Sequence, residues 1–133
     1  MKKTWHMILI GALAILAGQV IGVRFDFYTG DFVWFDLLLH LLSGAILAAI
    51  WIAISDMKVQ TSSLLFYTFL AGSFALFGSF VWEVFELTAN QTVPGLAAEY
   101  SLRSSTVPDA IFDMLSGLIG GLIWGFFSFN KKD

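Results

Sequence analysis

The chain has 133 residues, 58% hydrophobic and only 13% charged, against about 25% charged in a soluble domain. A water-soluble globular fold is thereby excluded, and the length suits one compact domain over 1–133. The absence of cysteine rules out disulfides and thiolate metal sites, and a net charge of −3 offers no basic surface for nucleic acid.

A short basic lead, Lys2 and Lys3, opens the chain before an apolar run at 5–23. A secretory signal has the same outline, but this run is long enough to span, and Gln19-Val20-Ile21 is a poor cleavage site. A membrane helix is predicted, with Gly11, Gly18 and Gly22 letting a neighbour pack closely and Gln19 bonding across helices. A loop follows, and the second run, 32–54, carries Asp36 and His40 near its start, then Gly44 and Ala48 as a small-residue contact. A polar turn with Asp56 and Lys58 leads to the third run, 63–87, which ends in Trp82, Glu83 and Glu86.

The longest polar connection, 88–107, contains Asn90, Pro94, Gly95, Glu99 and Arg103, and is a candidate lid. The fourth run, 108–129, starts with Pro108-Asp109, where proline fits a first helical turn and an acid suits its positive end. Gly117, Gly121 and Gly125 then recur every fourth residue. Each run is close to the roughly 20 residues that a helix needs to cross a hydrocarbon core. The expected fold is all-α and integral to the membrane: a bundle of four transmembrane helices.

With four spans, both termini and the middle turn share one side, which holds Lys2, Lys3, Lys58, Lys131 and Lys132. The other side holds Arg24 and Arg103. Positive-inside reasoning therefore places the N- and C-termini in the cytoplasm.

Ionisable residues inside such helices are costly and mark functional sites by default. Asp36 and His40 are four apart, Glu83 and Glu86 three apart, Asp109 and Asp113 four apart, so each pair shares a helix face. All three pairs fall at the same depth, a turn or two below the outer surface, and are expected to form one cluster. Five carboxylates and one imidazole with so little cationic compensation imply a bound metal ion, carboxylates that keep their protons, or a wide wet pocket. Acids at a helix start also have an ordinary structural reason, which covers Asp36 and Asp109 but neither His40 nor Asp113. Glu83 and Glu86 sit near the C-terminal, negative end of their helix, where carboxylates are electrostatically disfavoured. Trp5, Trp34, Trp51, Trp82 and Trp124 read as interface anchors. Ser43 and Ser116 could line the site.

The spacing resembles that of the small VanZ-like membrane proteins and of the YjdF-like family. VanZ-like chains show an Asp-Lys-x2-His opening, a later Glu-x2-Gln, an Arg followed six residues on by Asp and ten on by Asn, and then glycines. Here Asp36 and His40 fit the first element with Leu37 in place of lysine, and Glu83 fits the second with Glu86 in place of Gln. Arg103, Asp109 and Asp113 follow the third spacing, with Asp113 at the Asn position, and Gly117, Gly120 and Gly121 follow the tail. The acidic replacements are closer to the YjdF-like pattern. The likeness covers 35–125 and consists of single residues on an apolar background. VanZ-like proteins are associated with glycopeptide (teicoplanin) resistance, so the resemblance implies a multi-pass protein of the bacterial or archaeal inner membrane with a shared polar site; it implies no reaction.

The leading functional expectation is an outward-opening acidic pocket near the outer leaflet that binds a cation and acts on an envelope lipid or lipid-linked substrate. Asp36, His40, Glu83, Glu86, Asp109 and Asp113 are the candidate metal ligands. Glu83, Asp109 and Asp113 are the candidate acid/base groups, and Arg103 the contact to an anionic head group. Oxygen donors with one imidazole suit Mg²⁺, Ca²⁺, Mn²⁺ or Zn²⁺. No Glu-x-x-His supports a di-iron site, and no nucleophile signature supports a serine hydrolase. The alternatives are a proton- or cation-coupled carrier, which a homo-oligomer would serve better than one copy, and a scaffold or interaction protein of the bilayer.

Overall fold

The computed structural model describes residues 2–28, 32, 34–55, 63–102 and 106–129. All regular structure among them is helical: α1 (Lys2–Phe25), α2 (Trp34–Ser55), α3 (Leu64–Thr92), α4 (Pro94–Glu99) and α5 (Val107–Phe129). α1, α2, α3 and α5 are long and apolar enough to cross a membrane.

Small residues are inside and large ones outside, the reverse of a water-soluble core. Ala48, Ala71 and Ala75 are fully buried, whereas Leu65 is 82% exposed and Phe69, Phe77 and Phe112 face outward. Lipid supplies no hydrophobic force between helices, so they associate by close backbone approach, and small side chains permit it. Gly44 on α2 lies against the backbone of Gly117 on α5, and Gly120 against the Leu41 carbonyl. Gly121 and Gly125 meet Ala75 and Ala71 of α3. α2, α3 and α5 thus form a tight trio. α1 packs on α2 and has only 11% of its span buried, against 28% for each of the others.

Aromatic clusters mark the two ends. At one, Tyr67 is 1% exposed, with its ring 5.6 Å from Trp51 and 5.5 Å from Phe129. At the other, Phe27 stacks on Phe32 at 5.2 Å and meets Phe35 edge-on at 5.3 Å. There the chain leaves α1 through Asp26, whose φ of 55° is a left-handed conformation that Asp tolerates.

The helix termini follow local chemistry. The Ser63 hydroxyl accepts from the Phe66 N–H at 3.3 Å to start α3, and the Thr106 hydroxyl accepts from the Asp109 N–H at 3.3 Å to start α5. α3 ends later than its apolar run, at Thr92. Polar residues beyond Leu87 stay helical by folding back on the preceding turn: Thr88 donates to the Val84 carbonyl at 2.7 Å, and Thr92 to that of Thr88 at 2.8 Å. Pro94 then enforces the stop, because the residue before a proline is driven from helical geometry and Val93 has φ −137°. α4 begins at that proline, so the 88–107 connection is partly helical. Asn90 ties it down, donating from Nδ2 to the Glu86 and Leu102 carbonyls.

Candidate functional site

Asp36 lies in the first turn of α2 and His40 one turn deeper. His40 Nε2 stands 3.7 Å from Asp36 Oδ1 and 3.9 Å from Asp113 Oδ2 on α5. Both separations exceed the roughly 2.7–3.2 Å of a hydrogen bond, so the three groups face a common gap. One ligand atom from each lies within 4.8 Å of the others. His40 and Asp113 are buried, at 9% and 4% exposure, while Asp36 is more open.

Glu83 and Glu86 are buried on α3. Trp82 stands one helical turn before Glu86, on the same face of α3. Glu83 Oε1 is buried and has no hydrogen-bond partner among the described residues. Of the three predicted pairs, the distances above join Asp36, His40 and Asp113, while Glu83 and Glu86 are buried on α3. Asp109 sits in the first turn of α5 and is half-exposed. Asp36, His40 and Asp113 form the tight group. Arg103 lies outside the described residues.

α3 continues six residues past Glu86, to Thr92. The helix-dipole objection to Glu83 and Glu86 therefore falls away, since that effect is confined to the last turn. What makes them unusual is burial.

A cavity of about 480 Å³ adjoins the group, walled by α1, α2 and α3 and by Tyr28 and Ser101. Asp36, His40 and Glu86 line it, as does Ser43; Ser116 is not among its walls. The Tyr28 hydroxyl donates to Gln19 Oε1, and Gln19 Nε2 donates to the Tyr100 carbonyl at 3.3 Å, so Gln19 does bond between segments, as expected. Burial, with Asp36 and Glu86 nearby, pushes the Tyr28 phenol above its ordinary range, which keeps it a hydroxyl donor.

Sequence reasoning missed three wall residues: Trp82, Ser79 and Tyr28. For the first two a signal existed. Trp82 and Ser79 are four and seven residues before Glu86, hence on its helix face. Tyr28 carries no such signal, because a turn residue's orientation depends on how the chain returns.

No curated protein and no solved structure matches the chain. Over residues 3–132 it matches the family described as "Predicted membrane protein (DUF2238)". Four apolar helices of spanning length and a match across nearly the whole sequence lead to one conclusion: the chain belongs to this family of predicted membrane proteins.

Proposed function

We propose that this membrane protein holds a divalent cation in a pocket at the outer-leaflet end of its bundle and uses it on an amphiphilic substrate of the cell envelope. The observation that carries the reading is the placing of His40 Nε2 3.7 and 3.9 Å from carboxylate oxygens on two different helices. Ligands about 2.0–2.1 Å from a tetrahedral ion stand about 3.4 Å apart, so the two His40 separations are within a few tenths of an ångström of that spacing, and all three ligand atoms, within 4.8 Å of one another, could reach one ion by side-chain rotation. Two carboxylates and one imidazole suit Mg²⁺, Mn²⁺ or Zn²⁺, with Ca²⁺ as the larger alternative.

The unpartnered Glu83 oxygen adds support, because a buried carboxylate without a hydrogen bond is costly unless a cation or a proton compensates it. Glu83 and Asp109 would serve as acid/base groups around the ion, and Asp113 as a ligand. The lysine distribution supports cytoplasmic termini, hence a pocket facing outward in an inner membrane. The spacing shared with VanZ-like and YjdF-like chains supports an envelope role.

Elemental analysis of detergent-purified protein tests this. Stoichiometric divalent metal is expected in the parent and should be lost in a His40→Ala/Asp113→Asn double variant that elutes as the same species. A parent free of metal after purification with each of the four ions would sink the proposal.

A further inference from the structure

The cavity is long, and its chemistry changes along its length. Its wall on α2 runs from Asp36 to Leu47, about 16 Å at 1.5 Å per residue. At one end are Asp36, His40, Glu86, Tyr28, Trp82 and Gln19; toward the other the walls are apolar, with Ala12 and Ile15 from α1 and Ile46 and Leu47 from α2. A volume of about 480 Å³ over that length gives room for an extended hydrocarbon chain. The cavity lies where α1, which packs on α2, leaves space beside α3.

The polar end has a definite charge preference. Its acids are Asp36 and Glu86, and no lysine or arginine lines it among the described residues. Two aromatic residues, Trp82 and Tyr28, stand in the same wall, Trp82 one helical turn from Glu86. Aromatic rings beside a carboxylate are the combination that recognises an ammonium group, by cation–π attraction and charge pairing together. With Asp36 assigned to the metal, Glu86 is the remaining carboxylate of the wall, and an anionic head beside it would meet a like charge in a setting of low dielectric.

We infer that the cleft seats one hydrocarbon chain of a membrane amphiphile whose head group carries an amine or quaternary ammonium. The chain lies along Ala12, Ile15, Ile46 and Leu47, and the nitrogen sits at Glu86 beside Trp82 and Tyr28. This rests on the cation-pocket reading only in taking the cleft as the substrate's place; the nitrogen uses Glu86, and the metal uses Asp36, His40 and Asp113.

The test counts bound probe by native mass spectrometry on detergent-purified protein. Hexadecylamine, hexadecyltrimethylammonium, hexadecyl phosphate and hexadecanol are each offered with and without EDTA. Both nitrogen probes are expected to be retained about tenfold more tightly than the phosphate, with the difference surviving EDTA. Trp82→Phe keeps a ring and should keep the preference, whereas Trp82→Leu should lose most of it. Ile15→Trp, which narrows the apolar part of the cleft, should expel all four probes.

Preference for the phosphate that EDTA abolishes would mean a metal-bridged anionic head; it overturns this inference and leaves the cation pocket standing. Equal retention of all four probes overturns the head-group assignment. Retention unchanged by Ile15→Trp, or no retention at all, overturns the chain slot.

Discussion

Gly44 and Gly95 show how one residue type serves two purposes. A methyl at Gly44 would overlap the Gly117 carbonyl, which is backbone inside the helix trio and has nowhere to move, whereas a methyl at Gly95 meets nothing within 4 Å. Gly44→Ala is expected to cost about 1–3 kcal/mol through overpacking and Gly95→Ala nothing measurable or a slight gain, read as thermal unfolding in detergent. Glu83 poses the opposite problem. Its carboxylate is buried with an oxygen lacking a partner, so in EDTA the neutral isostere Glu83→Gln should raise stability by about 1–3 kcal/mol. A fall in the unfolding temperature would mean that the carboxylate has a structural role.

At the scale of elements, the turn after α4 reaches the polar end of the cavity and is tied to α1 and α3 by side-chain bonds. Ser101 lines the cavity, the Tyr100 carbonyl accepts from Gln19 on α1, and Asn90 on α3 donates to the Leu102 carbonyl. One such bond contributes a net 0.5–1.5 kcal/mol, roughly. Gln19→Leu should therefore speed hydrogen exchange of amides 94–102 by up to about tenfold and leave those of α3 unchanged. Exchange that rose equally in α3 would show that Gln19 supports the bundle as a whole.

For the whole molecule, orientation decides which side the acidic pocket faces. The chain has no cysteine, so single-cysteine labelling needs no background removal. Thr106→Cys, beside the acidic end, is expected to react with an impermeant maleimide in intact cells, and Met57→Cys only after lysis. The reverse pattern would turn the pocket toward the cytoplasm and remove the envelope substrate with it.

Much of this protein was legible in one dimension. The bilayer imposes a length and an apolar composition on each helix, so the four spans could be read from runs of residues. Helical periodicity put Asp36 with His40, Glu83 with Glu86, and Asp109 with Asp113 on shared faces, and matching depths anticipated that Asp36 and His40 would meet Asp113. The end of α3 was misjudged because side-chain bonds from Thr88, Asn90 and Thr92 keep a polar stretch helical, and hydropathy cannot register them. Only the tertiary structure decided that His40 faces Asp36 and Asp113 while Glu83 and Glu86 stand apart from that group, and that α1 leaves a cleft beside them. Depth is set by position along a helix, which sequence spacing measures. Rotation about the axis and the gaps between helices are set by how glycines and alanines of different helices fit, and that is a property of the assembled bundle.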